Sequence, residues 1–258
     1  MSQTTKMLQI ARVDLSYFFR TKWLLATLIG LNITDMLVVG IVYKGMMGGF
    51  NYFTFFAPGV IVTGLFFASF DVGRRVHLGL TEGVSQYYLT LPVSLNSLVF
   101  AHLLSAGVGG VIYAGLLALI AAVFLPQLAT VGTLILIPYM FLLSMGLAGI
   151  AAVLNVFSRQ GERYWIITEG VQTTMVALST VAYPIVVVRS YLPPQIISLI
   201  EYNPLSQGAE ALRTVVSGAP SDPSFNLAAL LLTSLALTCV GVVSYRRVFT
   251  KLREIGRI

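Results

Sequence analysis

Residues 55–94 read FFAPGVIVTGLFFASFDVGRRVHLGLTEGVSQYYLTLPVS. The first half is an apolar run that ends in Asp71, Arg74 and Arg75. A short amphipathic piece carrying Glu82 and Gly83 follows, and Leu91-Pro92-Val93-Ser94 turns the chain into the next apolar run. The pattern predicts two membrane-spanning helices joined by a loop that is part helix and part tight turn. Such a loop suits docking against a partner better than merely joining two spans.

Working outward, the rest of the chain has the same character. Its 258 residues are 57% hydrophobic and 10% charged, with mean hydropathy +0.85, whereas a soluble domain carries about a quarter charged residues. Several apolar runs exceed the ~20 residues that cross a bilayer. Only helices or closed barrels satisfy their backbone there, and the long unbroken runs select helices. Six spans are predicted, at 23–43, 53–76, 96–124, 129–157, 164–188 and 225–246. The third and fourth are separated only by the neighbourhood of Pro126-Gln127, which predicts a tight hairpin. Pro138 is expected to kink the fourth span. The reading is an all-α membrane protein forming one domain over residues 1–258.

Charge orients the bundle. With six spans and both ends on one side, thirteen basic residues fall on that side, and only Lys44, Arg189 and Arg213 on the other, accounting for all 16. The positive-inside rule then puts both termini in the cytoplasm of a multi-pass plasma-membrane protein. The same asymmetry explains the net charge of +6 through topology and contacts with membrane lipids, with no need for nucleic acid. Cys239, the one cysteine, lies in the sixth span and reads as a small buried hydrophobe. No signal peptide is visible before Trp23, so the first apolar run is expected to remain as a span.

Two flanking segments differ in kind. Residues 4–21 place Met7, Leu8, Ile10, Ala11, Leu15, Phe18 and Phe19 at helical spacing among Lys6, Arg12, Asp14 and Arg20. This predicts an amphipathic helix at the membrane surface. Residues 184–223 hold six of the ten prolines around two short apolar pieces. They predict short external half-helices on, or dipping into, the outer leaflet, since broken backbone at membrane depth needs protein or water to cover it.

Chemistry is conspicuous by what is missing. No Gly-Lys pair exists, so no phosphate-binding P-loop. His77 and His102 have no ligand-type spacing to carboxylates, and no metal site is expected. No nucleophile-elbow pattern is present. The chain does not read as an enzyme, and any work on a cargo must be driven from outside it. Asp35, past Asn32 and Thr34, is an ionisable group well inside the first span, where charge is costly. Two readings stand: a translocation path favouring cationic cargo, with Asn32, Phe66 and Phe67 as further candidates for its walls, or a structural pair with Lys44 or the backbone. Asp71 lies three and four residues before Arg74 and Arg75 and is placed to pair with both. Glu169 is expected to pair with Arg163 or Arg159. Small residues in the third span, from Ser105 to Gly115, permit close helix packing, within the bundle or between subunits.

Phe56-Ala57-Pro58-Gly59, then Glu82-Gly83, then Leu89-Thr90-Leu91-Pro92-Val93-Ser94, resembles the membrane subunits of ABC-2 type exporters. Asn203-Pro204-Leu205 followed by Glu210-Ala211-Leu212-Arg213 is similar to that family's segment before the last span. The resemblance covers essentially the whole chain; each motif alone is weak, and their order is the specific part. It implies a permease that pairs with a separate ATP-binding cassette ATPase subunit and with a second permease copy, identical or not. ATP and Mg would belong to the ATPase, and this chain would hold no cofactor. Residues 78–94 would be the coupling loop, with Glu82 facing a basic groove of the ATPase, Gly83 allowing close approach, Tyr87 and Tyr88 as interface anchors, and Pro92 ending the helix. Ser94 or Asn96 would cap the third span.

The expected function is the transmembrane part of an exporter for a small amphiphile, such as a drug, lipid or lipid-linked molecule. The aromatic residues between Phe50 and Phe70 suit a sugar-polymer channel equally well, so a glycan exporter of the same family is a competing reading. A stand-alone secondary transporter or channel is another, of a different class.

Overall fold

The computed structural model describes residues 2–46, 51–81, 92–157, 161–222 and 225–254. These residues form helices and connecting turns, with no strand among them. α1 (Gln3–Arg20) and α2 (Lys22–Thr34) meet at Thr21. A five-residue π-turn (Asp35–Val39) leads into α3 (Gly40–Met46), followed by α4 (Tyr52–Thr81) and α5 (Leu95–Ala121). A 3₁₀ turn at Pro126–Ala129 joins α5 to α6 (Val131–Phe157), as the two-residue punctuation predicted. α7 (Gly161–Ala177), α8 (Ile185–Val188), α9 (Pro194–Glu201), α10 (Pro204–Ser217) and α11 (Leu227–Glu254) complete the described chain.

Five helices are long and apolar enough to cross a membrane: Leu25–Met46, Tyr52–Val72, Leu95–Ala121, Val131–Leu154 and Leu227–Lys251. The predicted span over 164–188 differs. Its helix, α7, stops at Ala177 after 17 residues, and the chain continues through turns to the four-residue α8. Pro138 lies inside α6, whose helix continues through it.

α4 is the centre of the bundle, with 83% of its apolar window buried. Its aromatic run, which suited either a channel wall or packing, is core: Tyr52, Phe53, Phe55, Phe56, Phe66 and Phe70 are all buried. Glycines of α6 bring it close to α11. A Cβ on Gly149 would stand 2.5 Å from the Cα of Gly241, and one on Gly146 would meet the Leu237 backbone at 2.8 Å, so α6 and α11 touch backbone to backbone. Ser69 and Ser144 bond to each other at 2.7 Å, and Ser144 donates to the Ala106 carbonyl at 2.9 Å. This stitches α4, α5 and α6 with both serine hydroxyls satisfied. Cys239, expected to be buried, is exposed on α11.

Both chain ends gather at one end of the bundle. Ile10 and Ala11 of α1, Val72 of α4, Leu98 and Leu103 of α5, and Tyr245 and Phe249 of α11 form one apolar cluster. The far end holds the start of α4 and the end of α5, where Phe53 packs edge-on against Phe124 with ring centres 5.6 Å apart.

Candidate functional site

At the end where the termini meet, α1 grips both sides of the loop after α4. Its Ser2 cap accepts from the Thr5 amide, and its buried stripe Ile10, Ala11 and Phe18 faces the bundle. Part of α1's apolar face, Ile10, Ala11 and Phe18, is covered by protein, while Leu8, Val13 and Tyr17 stay exposed. The helix runs beside the first half of α5, from Gln3, which accepts from the Ser94 amide at 3.2 Å, to Phe18, which lies near Gly109. Lys6 Nζ donates to the Pro92 carbonyl at 2.6 Å. Pro92 and Ser94 are the return of the predicted coupling loop, and Ser94 caps α5 as expected, accepting from the Ser97 amide.

The other side of the loop is held by charges. Arg74 Nε donates to Asp71 at 2.6 Å, and Arg75 lies 3.2 Å from the second carboxylate oxygen, joining the trio that sequence spacing predicted. Arg75 also donates to the Asp14 carbonyl at 2.8 Å and stacks over the Phe18 ring at 5.6 Å. The Asp14 carboxylate pairs with His102 of α5 at 2.6 Å. Burial alone pushes the Asp14 carboxyl up, but the His102 ring and the Arg75 guanidinium outweigh it, and the net value lies below the ordinary 3.8. Sequence reasoning missed this Asp14–His102 pair. The residues stand 88 apart, and no local pattern signals the contact. Glu82, Gly83, Tyr87 and Tyr88 lie outside the described residues.

The four residues assigned to a path are not alike. Phe66 is fully buried in the core, with its ring edge-on to Phe70 at 4.6 Å, and Phe67 packs against that core. Asn32 is buried and donates to the Leu28 carbonyl at 2.8 Å and to the Tyr113 hydroxyl at 3.1 Å. Asp35 alone faces outward. It is exposed at the start of the π-turn, and its carboxylate takes part in no hydrogen bond or ion pair among the described residues, so the pairing with Lys44 does not form. A charge facing lipid at the bilayer centre costs about 2.5–3.5 kcal/mol on insertion scales. Glu169 likewise makes no ion pair with Arg163; Arg159 lies outside the described residues.

The far end is organised by the predicted Asn-Pro and Glu-Arg motifs. Pro204 opens α10 at its first position, where its missing N–H costs nothing. Asn203 caps the same helix by accepting from the Leu205 amide at 2.9 Å, and its amide donates to the carbonyls of Met175 and Leu178 at 2.8 and 2.6 Å. Those carbonyls are ones that α7 releases as it ends. Arg213, 1% exposed, uses every N–H it has: on the Phe55 carbonyl, the Thr180 hydroxyl and carbonyl, the Val181 carbonyl and Glu210. Its guanidinium lies 3.6 Å from the centre of the Phe55 ring. Glu210 in turn accepts from the amides of Ser221 and Asp222 at 2.8 and 3.0 Å, and Arg189 bridges Glu201 and Asp222. The carbonyls of the non-helical chain after α7 are thus taken up by the Asn203 cap and by Arg213 of α10.

A cavity of about 630 Å³ lies between α4, α5, α6 and α10. Ile61, Leu65, Val111, Leu134, Met140 and Leu212 line it with almost nothing but hydrocarbon. A second, of about 460 Å³, sits between the end of α7 and α9 beside Thr174, Gln195, Ser198 and Tyr202.

These features define the class: an all-helical membrane protein with charged clasps at both ends of its bundle. Neither a protein-family model nor a curated protein matches the chain.

Proposed function

We propose that the chain is the transmembrane subunit of an ABC-2 type exporter, carrying a small amphiphile and driven by a separate ATP-binding cassette subunit. The observation that carries this reading is the double grip of α1 on the loop after α4. Lys6 and Gln3 hold its return at Pro92 and Ser94, while Asp14 and Phe18 hold its exit at Arg75. A partner pressing on residues 82–91 would move α1, α4 and α5 together, because all three are tied at that point. With both termini at that same end, the positive-inside rule makes it the cytoplasmic end, where an ATPase is available. The apolar cavity near the far end of α5 and α6 fits the hydrocarbon part of an amphiphile better than a glycan chain.

Glu82→Lys is the direct test. It reverses the charge on the loop while leaving the described packing untouched. The variant is expected to insert normally and to lose both the associated ATPase and export. Retention of both would remove the docking role.

A further inference from the structure

The cavity of about 630 Å³ between α4, α5, α6 and α10 is open on one side only. Its inner lining, Ile61, Leu65, Leu136, Met140 and Leu212, is buried. Its outer lining is Ile112, Leu116 and Leu119 of α5 with Val131, Leu134 and Ile137 of α6, and all six are exposed on two candidate spans. The space therefore opens sideways, between α5 and α6, toward hydrocarbon. Leu128 and Ala129 of the 3₁₀ turn cover its far end. Toward the termini it is shut. One turn past Met140, Ser144 donates to the Ala106 carbonyl, and a Cβ on Gly110 would collide with the Ser144 hydroxyl. A Cβ on Gly107 would meet the Phe141 ring at 2.6 Å.

Gly115 differs from those two glycines. It lies in the lining, is exposed, and a Cβ there would meet nothing within 4 Å. Its smallness makes room and serves no helix contact, and Ala114 and Ala118 widen the same stretch of α5. From Val131 to Met140 the lining runs about 14 Å along α6 at 1.5 Å per residue. One leaflet offers about 15 Å, half of the ~30 Å hydrocarbon core. No Asp, Glu, Lys or Arg occurs from residue 83 to residue 158, so both helices and their hairpin lack these charges. The exposed polar groups at the turn are Gln127 and Thr130.

We propose that this cavity holds one acyl chain of a bilayer lipid, from the leaflet at the hairpin end, as a resident ligand selected by its chain and not by head-group charge. Water does not settle in a space that is almost wholly apolar, and an empty one forfeits the contacts of its lining. Hydrocarbon is the filler that a sideways opening admits. The chain rests on Leu212, the neighbour of Arg213, so it also seats α10 and the far clasp against α4. The shut floor leaves the lipid no route onward, so it stays. This holds with or without the exporter reading.

The test uses the full chain in native membranes of cells fed a fatty acid that carries a photoreactive diazirine. After irradiation, mass spectrometry is expected to find lipid adducts on buried Leu65, Leu136 or Met140, and also on exposed Leu232 and Val240 of α11, which any surrounding lipid reaches. Gly115→Leu fills the space. It is expected to lower the cavity adducts about tenfold, the scale of displacing a buried leucine-sized group, and to leave those on α11 unchanged. Adducts on α11 alone, equal cavity labelling in Gly115→Leu, or a cross-link from the cavity to another protein would each overturn the proposal. Loss of the cavity adducts when ATP is given to the membranes would do the same, because the lipid would then be cargo. Stability gives a second readout. Delipidated wild type in mild detergent is expected to gain in thermal midpoint equally from dioleoyl phosphatidylcholine and dioleoyl phosphatidylglycerol, at low and at high salt. Gly115→Leu, and Ala129→Leu at the roof, are expected to gain from neither, with lipid-free midpoints no lower than the wild type's. A gain confined to the anionic lipid and lost in salt would place the site on Arg12, Arg20 and Lys22 instead and overturn selection by the chain.

Discussion

Arg213 is the most fully engaged side chain in the described structure. It is held by three backbone carbonyls, a hydroxyl, a carboxylate and an aromatic face. Removing one partner of such a buried pair strands the other, at a cost of about 3–5 kcal/mol. Arg213→Leu is therefore expected to lower unfolding stability in detergent by that amount, and Arg213→Leu with Glu210→Leu by clearly less, because no charge is left behind. A single variant that unfolds like the wild type would show that the network carries no weight. At the opposite end, Asp14 gives a pH signature. Its native value lies below the ordinary 3.8, so the pair with His102 and Arg75 adds stability above that value and loses it as the pH falls through 3.8 into the lowered range. Acid unfolding should be less steep in Asp14→Asn; an identical acid limb would contradict the pairing.

At the scale of elements, what the sequence made legible depended on how local its cause was. Long apolar runs, the α5–α6 hairpin, the Ser94 cap and the Asp71–Arg74–Arg75 trio are set by neighbours within a few residues, and they appear where spacing placed them. The end of α7 was not legible. Its stop at Ala177 depends on Asn203 and Arg213, far along the chain, taking up the carbonyls of Met175, Leu178, Thr180 and Val181. The cover on α1 was missed for the same reason, since its amphipathic period reports an apolar face but not what lies against it. Glycines divide in the same way. Gly149→Val is expected to force α6 from α11, because the obstructing atoms are backbone of Gly241 and cannot rotate aside. Its destabilisation should reach the ~1–3 kcal/mol of overpacking or exceed it, read from thermal unfolding of the purified chain. A neutral Gly149→Val would mean that the two helices are not in backbone contact.

For the whole molecule, the two clasps tie the bundle at both of its ends. At one end, α1 ties the loop after α4 to the start of α5; at the other, α10 ties α4 to the chain that follows α7. α4 runs between them as the most buried of the five candidate spans, so displacement at the loop has a packed path to the far clasp. Lys6→Ala with Gln3→Ala removes the hold on Pro92 and Ser94 and is expected to reduce coupled ATP hydrolysis while leaving the bundle intact, as judged by an unchanged unfolding midpoint. On the exporter reading, residues 82–91 are where an ATPase subunit would dock. The most direct measurement is mild-detergent purification of the tagged chain from its own cell, followed by mass spectrometry and an ATP hydrolysis assay. The account predicts a stoichiometric ATP-binding cassette subunit, with hydrolysis that disappears in Glu82→Lys. A chain that purifies without any ATPase, and transports without ATP, would contradict it.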